Sequence, residues 1–347
     1  MKIIGIDLVK LRNINCGLGQ VAHNFAIELS KYQFDGFKFD FVLPKQYIGY
    51  YGNNVDYEKY SRVKKYLPFT FKNYNIWHST NQYIKYFPIN KKTKKILTIH
   101  DLNPIYENPN NIKKYIRKLQ RIIDKVDYIT TISNFVKDDL ENHLKINKPT
   151  KVIYNAINDL TKIPPIKPPF IVDGKPFFFT IGQVLKKKNF HTLLPLMKLL
   201  PDFHLYISGQ SNTAYAEDLK HQIIKDKITN ITLTDVITEE EKAWLYRNNN
   251  AFLFPSLFEG FGLPILEALQ FGNVVIASKS TSIPEIGKDY ISYFNSFDPN
   301  DMKEVILNSI EYVKNNPNHK TISKNYAKSF SYPEHTQEYI ELYKELL

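Results

Sequence analysis

Cysteine is nearly missing from this chain: of 347 residues only Cys16 carries a thiol. One cysteine excludes an internal disulfide and a cysteine-based metal cluster, and it fits a reducing compartment. No stretch approaches ~18 uninterrupted apolar residues, and Asp7 interrupts what would have to be the apolar region of a secretion signal. A soluble, cytoplasmic protein is the expectation. Also missing are a repeat of fixed period, a low-complexity tract, an Asp-x-Asp at a strand end and a His/Cys cluster, so no metal site is expected.

What is present is apolar material for two cores. Hydrophobic residues make up 43% and charged residues 23%, which excludes a disordered or collagen-like chain. The length is about twice that of a single-core domain, so two domains are expected. The charge is unevenly divided. The chain carries 46 Lys and Arg against 35 Asp and Glu, a net +11, yet residues 1–165 alone hold 27 basic and 14 acidic residues. All of the excess positive charge therefore lies in the N-terminal half. Nucleic acid, an anionic membrane surface or an anionic acceptor would each fit it.

Short apolar runs alternate with amphipathic stretches along the whole chain. Lys2 to Asp7 reads as a strand, Gly17 and Gly19 as a loop, and Gln20 to Lys31 as a helix. Strand-like runs follow at Phe37–Leu43, Ile76–His78, Lys95–His100 and Tyr128–Ile132. Ile163 to Pro169 then packs four prolines into seven residues, which reads as a stiff connector. Beyond it the alternation restarts, with strands at Phe177–Gly182, His204–Gly209, Ile231–Leu233, Ala251–Pro255 and Asn273–Ala277. The pattern predicts α/β architecture: two doubly wound Rossmann-like domains facing a central cleft. The expected division is an N-terminal domain over 1–162, a hinge over 163–170, a second domain over 171–330 and a C-terminal helix over 331–347.

One stretch is dense with chemistry. From Phe254 to Ala268 a strand runs into the turn Glu259-Gly260-Phe261-Gly262-Leu263, and a helix with Pro264 in its first turn follows. Such a turn offers backbone N–H groups at the positive end of a helix, where a phosphate group binds. Glu259 and Glu267 repel phosphate and suit hydroxyl groups instead, one of a sugar and one of a ribose.

Glu-Gly-Phe-Gly-Leu-Pro-x-x-Glu resembles the Glu-x7-Glu signature of the retaining, sugar-nucleotide-dependent glycosyltransferases of family 4, which have the two-domain GT-B fold, and the resemblance covers nearly the whole chain. Gly182 to Asn189 is similar to the family's Gly-Arg-Leu-x-x-x-Lys-Asn segment, whose Arg and Lys hold the donor diphosphate. Lys188 matches that Lys, while Gln183 stands where the Arg is usual. His100-Asp101 resembles the family's His-Asp pair, which makes His100 a residue facing the donor sugar. Gly17-Leu18-Gly19 resembles the first-loop glycines near the donor phosphates, and Asp235 and Val236 fall in the loop that reads the base. The loop Ser278 to Glu285 and the last helix, which crosses back to the N-domain, also have family counterparts.

The resemblance implies transfer of a hexosyl unit, of mannosyl or glucosyl type, from a UDP- or GDP-sugar to a saccharide or lipid-linked saccharide, with retained anomeric configuration. His100, Glu259 and Lys188 would be the catalytic residues. Gly17, Gly19, Gln183, Asp235, Val236, Gly260, Phe261, Gly262, Leu263 and Glu267 would bind the donor. No cofactor and no metal are implied, since Lys188 and the amides of Phe261 to Leu263 meet the charge that builds on the leaving diphosphate. Lipopolysaccharide or capsule assembly is the expected setting.

For the basic half two readings stand side by side, a peripheral contact with the inner face of the cell membrane and an ordinary solvated helix face of a lysine-rich protein. Ile112 to Val126 has apolar residues at helical spacing, with Lys113, Lys114, Arg117, Lys118, Arg121 and Lys125 opposite them. Tyr57 to Tyr74 interleaves Lys59, Arg62, Lys64, Lys65 and Lys72 with aromatic rings. Such stretches suit an anionic interface. A sugar-nucleotide epimerase of the same fold is the alternative enzyme, against which the Glu259/Glu267 signature speaks. A basic nucleic-acid-binding protein is the non-enzymatic alternative, but no nucleic-acid-binding module is present.

Overall fold

Runs of aromatic and branched side chains at Lys2–Asp7 (β1) and Phe37–Leu43 (β2) pair in parallel and bury both faces, with Ile4, Ile6, Phe39 and Phe41 all inside the core. Burial on both faces is why these strands read as near-continuous apolar runs rather than as alternating ones. The computed structural model describes residues 1–14, 16–61, 72–84, 86–107 and 109–347. They divide into two units, Met1–Ala156 with Ser331–Leu347, and Ile157–Phe330.

Unit 1 continues with β3 (Asp56–Lys59), β4 (Ile76–Ser79), β5 (Lys94–Ile99), β6 (Tyr128–Thr131) and β7 (Thr150–Val152). Its sheet is parallel in every pairing, in the order β3-β2-β1-β4-β5-β6-β7. The order reverses between β1 and β4, which makes that gap the switch point where ligands of doubly wound sheets bind. The crossing elements include α1 (Gly17–Leu29), α2 (Asn103–Glu107), α3 (Ile112–Ile123) and α4 (Asn134–His143).

Unit 2 has β8 (Phe177–Ile181), β9 (His204–Ser208), β10 (Ile231–Asp235), β11 (Ala251–Phe254), β12 (Val275–Ala277) and β13 (Ser292–Tyr293). These are ordered β10-β9-β8-β11-β12-β13, again all parallel, with the reversal between β8 and β11. Its helices are α5 (Leu193–Lys198), α6 (Ala214–Lys225), α7 (Glu239–Asn248), α8 (Leu263–Gln270), α9 (Ile283–Gly287), α10 (Pro299–Asn315) and α11 (Pro317–Lys328). The last helix, α12 (Tyr332–Leu346), starts with a capping box between Ser331 and Glu334 and belongs to unit 1. There it buries Tyr339, Ile340, Leu342 and Tyr343, and the Tyr343 hydroxyl meets His78 Nδ1 at 2.6 Å.

The passage between units differs from the expected hinge over 163–170. The chain changes unit at Ala156/Ile157 and again at Phe330/Ser331, and the Ile157 N–H donates to the Phe330 carbonyl at 2.9 Å. The proline-rich stretch lies inside unit 2. Prolines forbid helix and central strand there, but the N–H of Ile166 still reaches the carbonyl of Glu240 on α7 at 3.2 Å, and Phe170 packs on the Tyr206 ring at 5.7 Å. Lack of regular structure is therefore not freedom: the segment is strapped along the domain that follows it.

Candidate active site

The C-terminal strand ends of unit 2 collect most of the residues singled out by the sequence. Across the β8/β11 switch point, Lys188 and Glu259 meet: Nζ lies 2.5 Å from Oε1, with side chains only 11% and 14% exposed. Lys188 closes a single 3-10 turn after β8, and its ammonium also sits 5.0 Å from the centre of the Phe254 ring at the end of β11. Gly182 makes room for it, since a Cβ there would stand 2.9 Å from Lys188 Cε. Gly209, at the end of β9, packs as tightly on Gly182, where a Cβ would come within 2.1 Å of the carbonyl oxygen. Neither glycine was singled out by its chemistry. Glycine at the C-terminal end of a strand was the signal available.

Glu259 is held on several sides. Ser256 Oγ donates to the same Oε1 at 2.6 Å, Thr281 Oγ1 accepts the Glu259 N–H at 3.0 Å, and Ser282 Oγ donates to its carbonyl at 3.0 Å. Oε2 receives no hydrogen bond from any described residue, which leaves one oxygen of the carboxylate for a ligand hydroxyl. Three residues on, Gly262 adopts φ 101°, a left-handed conformation open to glycine, and caps α8 with Pro264 in the first turn. The N–H groups of Gly262 and Leu263 donate to no described residue. Cation, carboxylate and unsatisfied amides thus share one loop system at the strand ends, as an anion with a hydroxylated neighbour requires.

The other expected donor residues occupy the same edge with different partners. Glu267 lies on α8 with both oxygens engaged by α7: Oε1 is 3.4 Å from Lys242 Nζ, and Oε2 accepts from the Tyr246 hydroxyl at 3.0 Å. Burial pushes the Lys242 ammonium toward losing its proton, but Glu267 and Glu239 outweigh it and raise the pKa. Asp235 ends β10 at φ 61°, and its side chain accepts the Ser211 N–H at 3.2 Å. Val236 beside it is 65% exposed. Gln183 is exposed after β8, where it supplies no charge.

Unit 1 holds the remainder. His100 follows β5 and is buried, with its Nε2 2.8 Å from the Thr80 carbonyl and its N–H 3.2 Å from Gln82 Oε1. Since a carbonyl only accepts, Nε2 carries the proton and Nδ1 is the acceptor. Burial lowers the pKa to about 4, so the ring is neutral at pH 7. With Nε2–H already donated to Thr80, the ring can offer a further ligand only an acceptor, at Nδ1. Asp101 ties its own loop, its side chain accepting from the Asn103 N–H at 3.2 Å. Gly17 and Gly19 lie in the first turn of α1 rather than in a loop. At Gly19 a Cβ would stand 2.1 Å from the Asn13 carbonyl, whereas nothing lies within 4 Å of one at Gly17.

The basic face is formed by α3. Lys113, Lys114, Arg117, Lys118 and Arg121 are exposed and pair with no carboxylate among the described residues, while Leu119 and Ile123 are buried. In the second basic cluster, residues 62–71, with Arg62, Lys64, Lys65, Tyr66, Phe69 and Phe71, lie outside the described residues. Lys72 does not belong to a free cationic face, because it pairs with the buried Asp40 at 2.7 Å. No helix of the described residues is long and apolar enough to cross a membrane.

Comparison with known proteins agrees with this geometry. Residues 165–330 match the family model described as glycosyl transferases group 1, and residues 17–159 match glycosyltransferase family 4. The O-antigen chain mannosyltransferase RfbU of Salmonella typhimurium is 27% identical over 269 residues, spanning 72% of each chain. O-antigen chain mannosyltransferase B of Escherichia coli is 25% identical over 295 residues, 79% of this chain and 75% of that one. Among solved structures, sucrose-phosphate synthase of Thermosynechococcus elongatus superposes with a TM-score of 0.76 at 16% identity, covering 100% of this chain and 99% of that one. Anabaena HepE in complex with UDP-glucose gives 0.76 at 15% identity, covering 99% and 100%. The chain belongs to the group 1 glycosyltransferases of the family 4 type, and its two parallel-sheet domains are those of the GT-B fold.

Proposed function

We propose that the protein is a retaining hexosyltransferase that moves a mannosyl or glucosyl unit from a UDP- or GDP-sugar to a saccharide or lipid-linked saccharide during assembly of a cell-surface glycan. The observation that carries this reading is the Lys188–Glu259 pair across the β8/β11 switch point, in the loop system that leads into α8. The names of the curated relatives, mannosyltransferases of O-antigen chains, favour mannose and lipopolysaccharide.

In this mechanism the anomeric C–O bond to the diphosphate breaks, a bond from the acceptor oxygen to the same face of the anomeric carbon forms, and the acceptor proton passes to the leaving phosphate. Negative charge grows on that phosphate. Lys188 and the amides of Gly262 and Leu263 meet the charge where it develops, without a metal ion. Glu259 holds a sugar hydroxyl through Oε2, Glu267 receives a ribose hydroxyl, and Asp235 and Val236 border the base. The roles that the family resemblance gives to Gly17, Gly19 and His100 belong to the same proposal, with neutral His100 offering Nδ1 as a hydrogen-bond acceptor. The exposed cations of α3 draw the enzyme to an anionic membrane on its cytoplasmic face.

The test is a panel of UDP-, GDP- and CDP-sugars, scored by thermal stabilisation and by donor hydrolysis, since a ligand that binds only the folded state raises the midpoint by mass action. NMR coupling at the new anomeric centre then reads the stereochemistry. Stabilisation and turnover by one donor with retention are expected. An inverted product would overturn the retaining assignment.

A further inference from the structure

The loop after β12 carries a backbone conformation that its sequence does not favour. Thr281 sits at φ 53°. Among the described residues other than glycine with positive φ, namely Asn189, Lys227, Asp235, Thr281 and Lys288, it is the one with a branched Cβ, for which this region is a genuine outlier. Such strain persists only where the surroundings over-determine it, and it concentrates at functional sites.

Here the surroundings are Glu259. Thr281 Oγ1 accepts the Glu259 N–H at 3.0 Å, and the next residue, fully buried Ser282, donates its hydroxyl to the Glu259 carbonyl at 3.0 Å. One residue into the same loop, Ser278 Oγ donates to the carbonyl of Ser256, and Ser256 in turn donates to Glu259 Oε1 at 2.6 Å. The β12 loop therefore grips the peptide units on both sides of Glu259 and, through Ser256, one oxygen of its carboxylate. Glycine would adopt the same φ without strain but would leave the Glu259 N–H without this acceptor.

We propose that Thr281 is a positioning residue for the carboxylate of Glu259, its hydroxyl fixing the peptide from which that side chain projects while Ser282 fixes the adjoining carbonyl. The proposal rests on the reading of Glu259 as the residue that holds the donor sugar. It adds that the direction of Glu259 is set by a neighbouring strand's loop, so that activity and local relaxation of the backbone oppose each other at position 281.

The experiment compares Thr281→Gly, Thr281→Val and Thr281→Ser with the parent chain, measuring thermal midpoint, kcat and donor KM with GDP-mannose and UDP-glucose. Glu259→Gln is run alongside. Thr281→Gly relieves the strain, so its midpoint stays level or rises, yet kcat drops about 10- to 100-fold because a misplaced group loses that much in rate. Donor KM moves less than about threefold, as expected when a group acts in the transition state rather than in uniform binding. Thr281→Val loses kcat similarly, and Thr281→Ser, which keeps the acceptor, stays close to the parent. A loop that matters only for folding predicts the reverse order, with the relaxed glycine variant at least as active as the parent. Unchanged kcat in Thr281→Gly, or an equal loss in Thr281→Ser, overturns the proposal. Full turnover by Glu259→Gln overturns instead the placement of Glu259 in the donor site.

Discussion

Replacing Lys188 by Met, Glu259 by Gln, and both together separates the structural worth of their ion pair from its chemical worth. The side chains are nearly buried and 2.5 Å apart, so either single change leaves an uncompensated charge in a site with little water. Breaking a buried pair by removing one partner costs about 3–5 kcal/mol, and the residual exposure of 11% and 14% brings this pair just below that range, to about 2–3 kcal/mol. The double variant removes both charges while keeping similar volumes, and it should recover most of that stability. The expected coupling, the two single costs less the small cost left in the double variant, is about 3–5 kcal/mol, at or above the top of the range usual for contacting residues. Turnover should behave differently. Each single variant loses about 10²–10³ in kcat, the usual cost of deleting one group aimed at developing charge, and the double variant recovers none of it. Stability is read by urea unfolding of unit 2 followed by Trp244, which lies parallel to Phe177 at 5.9 Å. Turnover is read with the donor that stabilises the parent chain. Recovery of activity in the double variant would mean that the pair serves only to hold the two loops together, and the site assignment would fall.

Acid should weaken unit 1. Burial lowers the pKa of His78 to about 3 and of His100 and His335 to about 4, so unfolding at pH 4–6 lets three imidazoles take up protons. Burial raises Asp7 to about 6, which acts in the opposite sense, because in the same window the folded state binds the extra proton. Asp139 and Glu338, also raised by burial, act with Asp7, so at most two protons net favour the unfolded chain, and stability falls by at most about 2.7 kcal/mol per pH unit as pH drops from 6 to 4. Trp77 fluorescence in a Trp244→Phe background measures it, and a flat profile across that window would contradict the burial argument. Gly19→Ala should destabilise unit 1 by about 1–3 kcal/mol through overpacking on Asn13, whereas Gly17→Ala should fold normally. Circular dichroism melts decide the first, and lost donor turnover in the well-folded Gly17→Ala would tie that position to the phosphates. Neutralising Lys113, Lys114, Arg117 and Lys118 should weaken binding to vesicles of anionic lipid by up to about 4 kcal/mol, at about 1 kcal/mol per cation, while leaving thermal stabilisation by the donor unchanged. Equal vesicle binding by parent and variant would remove α3 from any membrane contact.

Most of the core elements were legible in the chain because their signals are local. Continuous apolar runs marked the strands buried on both faces, and β1, β2 and α8 occur over the residues anticipated. The elements that escaped are edge strands and polar helices. β3 reads Asp-Tyr-Glu-Lys and lies at the rim of its sheet, where charge guards against further pairing and erases the apolar pattern. β7 has three residues, Thr150–Val152, at the opposite rim, and β13 has two. Among the helices, α2, α4, α9, α10 and α11 were not anticipated. The hinge was misplaced for a related reason. Proline density reports the absence of regular structure, not the absence of attachment, and the bond from Ile166 to Glu240 and the packing of Phe170 on Tyr206 show where the segment is held.

By itself the sequence determined the chemistry on offer: the glycine-rich turn before α8, the carboxylates at 259 and 267, the lysine after β8, and the division of charge between the two halves. The first three are short-range patterns, carried by residues close together in the chain, and the charge division is a count that needs no fold. Tertiary structure alone decided how these groups are used. It brought Lys188 to Glu259 across 71 positions, gave both oxygens of Glu267 to α7, and buried His100 so that its imidazole is neutral with Nδ1 left to accept. It also placed Thr281, from a different strand's loop, against the Glu259 peptide. Those outcomes depend on strand order at the switch point and on burial, and neither is a property of any local segment: register is set by packing of the whole sheet, and the pKa of a side chain by the surroundings that the rest of the chain provides.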